Sequence, residues 1–141
     1  MNHHAVNFNV TEHFKYTEPG LACKCCQRVR LITEFFACMD LLEQMRVTLG
    51  FPMDIISGYR CPEWNKKVKG SADSMHMKFA VDIKPLHISK EPSEIWEAKL
   101  HSMWTLAHTI RFGGLGIYDT WIHVDTRSGL LARWDNRTKE V

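Results

Sequence analysis

Ser74-Met75-His76-Met77-Lys78-Phe79-Ala80-Val81-Asp82-Ile83 is the stretch on which the interpretation of this chain depends. It contains an imidazole, His76, and a carboxylate, Asp82, and the apolar run from Phe79 to Ile83 is typical of a buried strand. A buried charge is costly unless it is paired or binds a metal ion. The stretch therefore predicts a strand that carries a polar functional site.

A second strand-like segment supplies a matching polar group. In Trp121-Ile122-His123-Val124-Asp125 an imidazole again lies among apolar residues. Two histidines and one aspartate suit zinc and leave a fourth position for water. His76 taken alone would more simply be a hydrogen-bonded core or surface histidine, but the constellation predicts that His76, Asp82 and His123 bind Zn²⁺.

Composition indicates one folded domain. The chain has 141 residues, of which 45% are hydrophobic, and this is enough for a core and too apolar for disorder. The net charge of +2 is too small to indicate a nucleic-acid partner. No apolar run reaches the ~18–20 residues of a membrane span, and Met1 to Val10 lacks the pattern of a signal peptide. We expect a monomer, a single domain over 1–141, that is made in the cytosol.

The remaining pattern predicts an α+β fold. The expected elements are a loop-rich arm (1–30), a helix (33–49), a strand (54–56), a short helix (62–68), the strand at 79–83, a second long helix (93–111) and a hairpin (115–118 and 121–125). Thr33 is expected to cap the first long helix and Gly50 to end it. We therefore predict a small antiparallel sheet packed by two main helices.

Five cysteines are many for a reducing compartment. Cys23-Lys24-Cys25-Cys26 is similar to a metal-binding knuckle, but no second CxxC or CxxH pair accompanies it. The simplest interpretation is a group of thiols packed in the N-terminal loop. A second zinc site is the less favoured alternative, and a disulfide from Cys25 or Cys26 to Cys61 is another if the protein works outside a cell.

Three motifs together resemble the M15 zinc peptidases, which include D-alanyl-D-alanine carboxypeptidases and phage endolysins. The motifs are Ser57-Gly58-Tyr59-Arg60-Cys61-Pro62 with Asn65, Ser74-x-His76 … Ala80-x-Asp82-Ile83, and Gly114-x-Gly116-x-Tyr118 … His123-Val124-Asp125-x-Arg127. The likeness extends from about Phe14 to Trp134. It implies the fold shared with the hedgehog signalling domain, peptidoglycan stem peptides as substrate, and release to the cell wall during phage lysis.

Carried over to this chain, the resemblance implies zinc ligation by His76, Asp82 and His123, and a substrate or oxyanion contact from Arg60. A buried structural pair is the alternative for Arg60. Ser74 lies close enough to the predicted ligand His76 in sequence for its hydroxyl to bond a substrate carbonyl. Capping of its own loop is an equal alternative. The bond that is cut, D-Ala-D-Ala or L-Ala to D-Glu, stays open.

The chain departs from the family pattern at two places. His76 and Asp82 are one residue closer than usual, because the family's glycine is absent after Lys78, and along a strand such a change turns a side chain to the other face. Either the family's glycine forms a bulge that is absent here, or Asp82 is misdirected and the site is impaired; the ligand assignment is kept. The family's acidic residue before the last histidine is replaced by Thr120.

Because the family's acidic residue is missing, two other carboxylates are candidates for the general acid/base. Asp125 shares a strand face with His123 and is the predicted catalytic residue. Its alternative is a salt bridge with Arg127 or Arg60. Asp119 is the rival, although a turn-forming role suits it better. Two other readings of the whole chain stay open, a non-catalytic zinc-containing peptide or cell-wall binding module and a metal-free interaction domain.

Overall fold

The computed structural model describes residues 9–138, and the expectations for the first eight and last three residues lie outside that range. Three helices and five strands form the domain. They are α1 (Thr33–Leu49), β1 (Met53–Ser57), α2 (Pro62–Lys67), β2 (Ala80–Pro85), α3 (Ser93–Ala107), β3 (Gly114–Ile117), β4 (Ile122–Asp125) and β5 (Ala132–Asp135), with a single 3₁₀ turn at Met75–Met77. The predicted α+β class is confirmed.

The five strands form one mixed sheet in the order β1-β2-β4-β3-β5. The first four pair in antiparallel fashion, as predicted. The fifth strand pairs in parallel with β3. It was not predicted, because Ala132-Arg133-Trp134-Asp135 is only four residues long and its alternation of apolar and polar residues is too short to stand out.

Helices α1 and α3 pack against each other and against β2 and β4. Their buried side chains join those of the central strands in one core, and the largest fully buried members are Phe35, Phe79, Phe112, Leu21, Met39, Leu42, Met45, Ile83, Met103, Leu115, Ile122 and Val81. None of the helices in the described part of the chain is both long and apolar enough to cross a bilayer.

The ends of the two long helices differ in part from expectation. Thr33 is the first helical residue and Ile32 the N-cap, and no side chain caps this end, so the predicted Thr33 cap was wrong. Gly50 ends α1 in the left-handed conformation, with φ of 76°, as predicted. Helix α3 ends at Ala107 rather than Arg111, because the N–H and hydroxyl of Thr109 both donate to the carbonyl of Leu106 in a terminal turn.

The N-terminal arm lies directly against β1 and the segment that follows it. A Cβ on Gly20 would come within 2.0 Å of the carbonyl oxygen of Ile55, so only glycine permits this approach. One step further, the N–H of Tyr59 donates to the carbonyl of Leu21 at 3.2 Å. The arm therefore fixes the position of the loop between β1 and α2.

We expect Gly20→Ala to lower the free energy of unfolding by more than Gly50→Ala does. At Gly20 the new methyl group meets backbone, which cannot rotate away. At Gly50 nothing lies within 4 Å, so only the left-handed φ is penalised, at about 1 kcal/mol. Urea unfolding of both variants measures the difference, and an equal or smaller loss for Gly20→Ala would contradict the close packing of the arm.

Candidate metal centre and active site

A pocket of about 420 Å³ opens where β2, β4 and β3 meet the loop that precedes β2. Three predicted metal ligands, Arg60 and Ser74 all contribute to its wall. The complete lining is Arg60, Gly70, Ser71, Asp73, Ser74, Met75, His76, Asp82, Tyr118, Trp121, His123, Arg127 and Trp134. The sequence motifs, separated along the chain, therefore meet in one cavity.

His76, Asp82 and His123 form a cluster whose potential ligand atoms all lie within 4.8 Å of one another. Strand pairing creates part of it, because Asp82 on β2 lies directly opposite His123 on β4. The Oδ1 atom of Asp82 lies 3.3 Å from Nε2 of His76 and 3.2 Å from Nδ1 of His123. Two nitrogens and one oxygen thus converge, a donor set that fits zinc.

The orientation of His76 is fixed from behind by a backbone carbonyl. Its Nδ1 lies 2.7 Å from the oxygen of Gly58, a distance at which Nδ1–H donates to that carbonyl. In the neutral ring this leaves the lone pair on Nε2, which faces Asp82. Outer hydrogen bonds of this kind hold metal-binding histidines in the correct tautomer.

His123 is held in the same way by Asp125. The Nε2 atom of His123 lies 2.7 Å from Oδ2 of Asp125, so its Nδ1 is the atom that faces Asp82. Asp125 is fully buried and also accepts hydrogen bonds from the backbone N–H, Nε and Nη2 of Arg127, at 2.9, 2.9 and 2.7 Å. Both of its carboxylate oxygens are therefore already engaged.

The pKa shifts of the cluster agree with this geometry. Burial by itself would raise the pKa of Asp82, but hydrogen bonds from His123 and His76 hold it well below its usual range. Burial would lower the pKa of His123, but its bonds to Asp125 and Asp82 raise it above the ordinary value. The centre thus holds an ionised carboxylate between two imidazoles, where a cation would be stabilised.

The short spacing between His76 and Asp82 does not misdirect the carboxylate. His76 lies in the 3₁₀ turn Met75–Met77 and not on the strand, so the rule that alternate strand residues face opposite sides does not apply between them. Lys78 joins the turn to the strand with φ of −94° and ψ of −84°. The turn therefore accommodates the spacing that is one residue shorter than in the family. The misdirected Asp82 that this spacing could have produced is not observed.

Arg60 enters the pocket with part of its guanidinium unsatisfied. Its Nη2 donates to the hydroxyl of Ser74 at 3.3 Å, whereas its buried Nε has no hydrogen-bond partner in the described part of the chain. The Ser74 hydroxyl also accepts from the N–H of His76 at 3.2 Å, so Ser74 caps the turn. Because Arg60 lines the pocket, its guanidinium places a positive charge where an anionic or carbonyl group of a ligand would bind.

The two acid/base candidates from the sequence lie elsewhere than expected. The carboxylate of Asp125 faces Arg127 and the far side of His123 and takes no part in the pocket lining, which matches the salt-bridge alternative. Asp119 accepts from the N–H and hydroxyl of Thr138, and it too is absent from the lining.

Besides Asp82, the carboxylate in the described lining is that of Asp73. Asp73 lies in a loop anchored by the buried Asn65, whose Nδ2 donates to the carbonyl of Ser71 at 2.9 Å. A hydrogen bond from the Ser71 hydroxyl lowers the pKa of Asp73. The sequence analysis predicted only that this loop connects α2 to the His76 segment. The sequence did contain a signal for this loop, since Asp73 directly precedes the Ser74-x-His76 motif and Asn65 belongs to the motif before it.

Aromatic side chains form the rest of the wall. The rings of Tyr118 and Trp121 stack with centroids 4.5 Å apart, and Nε1 of Trp134 donates to the hydroxyl of Tyr118 at 3.0 Å. Trp134 reaches this position because it lies on β5 over Gly116, where a Cβ would come within 2.1 Å of the indole nitrogen. Sequence analysis did not find the Trp134 contribution, because it did not predict β5.

Comparison with known families agrees with the motif resemblance. A family model described as Peptidase M15 matches residues 12–125, most of the chain and all three candidate metal ligands. No curated protein matches the chain.

We expect Asp125→Asn to destabilise the metal-free protein by about 2–3 kcal/mol near neutral pH, because a hydrogen-bonded ion pair with Arg127 is lost. The folded-state pKa of Asp125 is lowered, chiefly by hydrogen bonds from His123 and Arg127 that outweigh the effect of burial. Its stabilisation is therefore present above the unfolded-state pKa of about 4 and is lost as the pH falls below it. Urea unfolding in chelator, from neutral to acid pH, measures this.

Asp135→Asn is the matched control, because Arg137 binds Asp135 with the same spacing and similar contacts but at an exposed position. We expect a much smaller loss there. A difference between wild type and Asp125→Asn that stays constant down to acid pH would contradict the charge-based explanation.

Proposed function

The chain belongs to the M15 peptidase family, and from that premise we propose that it is a zinc-dependent peptidase that cleaves the stem peptides of peptidoglycan. The single observation that carries the proposal is the convergence of Nε2 of His76, Oδ1 of Asp82 and Nδ1 of His123 at the pocket wall. His76, Asp82 and His123 would hold the metal ion. When bound, zinc supplies a Lewis acid that polarises a carbonyl and lowers the pKa of water.

Arg60 is assigned to the substrate. Arg60 lines the pocket, and its Nη2 is held in place there by the hydroxyl of Ser74. The guanidinium binds either the carboxylate of a peptide or the oxyanion that develops as the peptide bond is attacked. Burial lowers the pKa of Arg60, but arginine stays protonated at neutral pH, so the charge is retained.

Asp125 is assigned to positioning rather than to proton transfer. It orients the ring of His123 through Nε2 and is itself fixed by Arg127. For Asp125 to act on a water molecule in the pocket, its contacts with Arg127 would have to break. We therefore transfer the acid/base role, first predicted for Asp125, to Asp73.

Two features of Asp73 support its assignment as the proton acceptor. It lines the pocket, and its carboxylate is exposed to solvent with which protons can exchange. The Ser71 hydroxyl lowers its pKa, which makes this carboxylate a weaker base than one whose pKa lies near neutrality. A general base accepts a proton from the attacking water and returns it to the leaving amine. Asn65 anchors the loop that carries this carboxylate at the pocket wall, through its Nδ2 bond to the Ser71 carbonyl and the bond from the Gly70 N–H to its own carbonyl.

The shape and charge of the pocket suit a peptide. Tyr118, Trp121 and Trp134 provide apolar surface beside Arg60, so one side holds aliphatic groups such as alanine methyls and the other an anionic group. Both D-Ala-D-Ala and L-Ala to D-Glu links combine a small apolar residue with a carboxylate. Release of free alanine indicates the first, and release of longer peptides from the glycan indicates the second.

We expect His123→Ala and His76→Ala each to lose zinc from this site and to lose peptide release from purified peptidoglycan. Loss of a ligand removes binding energy that also stabilises the fold, so the zinc-dependent increase in Tm should vanish. Elemental analysis, thermal unfolding with and without zinc, and analysis of released peptides provide the measurements. Wild-type protein that retains zinc at this site but releases no peptide would favour the binding module instead.

We expect Asp73→Asn to lower kcat by about 10²–10⁴-fold while zinc content and Tm stay near those of the wild type, because a general base is removed and no metal ligand is touched. Asp119→Asn is the matched control. Its carboxylate bonds Thr138 outside the pocket, so cleavage should continue at the wild-type rate. Full activity of Asp73→Asn would refute the assignment.

A further inference from the structure

A cluster of thiols lies outside the pocket, between the N-terminal arm and the start of α2. The Sγ atoms of Cys23, Cys26 and Cys61 all lie within 4.8 Å of one another. Cys25 lies in the same turn, between Cys23 and Cys26, and is exposed. Sequence analysis found no second CxxC or CxxH pair to complete a site, because the third member is a single cysteine, distant in the chain.

The backbone around this cluster is folded as a tight turn that points N–H groups at sulfur. The N–H of Cys23 donates to the carbonyl of Arg28, and the N–H of Gln27 donates to that of Cys23, both at 2.8 Å. Gln27 adopts a left-handed φ of 59° to close the turn. The N–H groups of Cys25 and Cys61 then donate to the Sγ of Cys23 at 3.4 and 3.3 Å.

A second sulfur is engaged in the same way, since the Sγ of Cys61 accepts from the N–H of Trp64 at 3.4 Å. Hydrogen bonds from N–H groups stabilise negative charge on sulfur, and thiolates are the form in which cysteine binds metals. The turn also carries Lys24 and Arg28, whose positive charges offset that of thiolates.

We propose that Cys23, Cys26 and Cys61 bind a second metal ion, a soft divalent cation such as zinc, at a structural site separate from the pocket. Tetrahedral zinc with Zn–S bonds of about 2.3 Å places sulfurs about 3.8 Å apart, so the observed cluster needs only small side-chain rotations. Each coordinating thiol releases its proton to solvent, and no oxidant is required. Cys25, which lies in the same turn between Cys23 and Cys26, would supply the fourth ligand.

The site would join two segments on which the pocket depends. Cys23 and Cys26 belong to the arm, whereas Cys61 follows Arg60, which lines the pocket. The same loop contains Gly58, whose carbonyl orients His76, and a Cβ at Gly58 would come within 2.6 Å of the carbonyl oxygen of Leu21. A metal ion at the thiols therefore crosslinks the arm to the loop that orients one ligand and carries the substrate arginine.

Titration of reduced protein with Co²⁺ tests this. The pocket ligands contain no sulfur, so a sulfur-to-cobalt charge-transfer absorption band reports the thiol site alone. We expect the wild type to bind two Co²⁺ ions per chain and to show this band. Cys26→Ser, at an exposed position where the fold should tolerate it, removes one sulfur ligand, so we expect the band to lose intensity and Co²⁺ to bind at this site more weakly.

Cys38→Ala is the matched control, because that thiol is buried in the core beside the carbonyl of Val124, away from the cluster. The charge-transfer band should survive in this variant. A wild type without the band, or a band unaffected by Cys26→Ser, would overturn the proposal. Failure of the pocket site gives a different result, one Co²⁺ ion per chain with the band intact, so the two assignments are tested independently.

Discussion

The pairing of Asp82 with His123 across strands β2 and β4 is the constraint on which the rest of the site depends. A carboxylate placed among fully buried apolar residues of a central strand requires compensation, and the opposing imidazole provides it at 3.2 Å. A second imidazole then approaches the same oxygen from outside the sheet. Removal of either histidine would leave Asp82 less compensated, so in this region the requirements of folding and of metal binding are the same.

A second layer of polar groups holds each imidazole in place. The Gly58 carbonyl holds His76, and Asp125 with Arg127 holds His123. Gly114 permits the second arrangement, because a Cβ there would come within 2.3 Å of Oδ2 of Asp125 and 2.5 Å of Nε of Arg127. The glycine in the family motif is thus explained by the space that the ion pair needs, and the motif residues act together rather than singly.

The sequence predicted the elements whose signal is local. The apolar spacing of α1 and α3, the left-handed glycine after α1 and the apolar runs of β2 and β4 are all visible in short windows. The three candidate ligands were found because each is a polar residue beside or within such a run. Their convergence in one pocket followed from the family resemblance, since spacing along the chain cannot give a distance in space.

What the sequence did not predict depends on contacts between distant segments. Strand β5 exists because its backbone meets the free edge of β3, and its four residues are too few for their alternation to predict a strand. The first assignment of Asp125 followed correctly from its shared face with His123, but the face does not tell which side of the ring a carboxylate occupies. The meeting of Cys61 with the arm is likewise a tertiary event, invisible to a search for closely spaced pairs.

The strand order also has a consequence for the path of folding. Strands β3 and β4 form a local hairpin, whereas β2 and β4 join residues about 40 positions apart, with α3 between them. Closure of a long loop costs chain entropy before the new contacts repay it. The two halves of the metal centre, His76 with Asp82 on one side and His123 on the other, therefore meet only when the hairpin docks on β2. A metal ion that needs ligands from both halves therefore binds tightly only to a chain in which the sheet is complete. It has no partly folded state to which it can bind with high affinity.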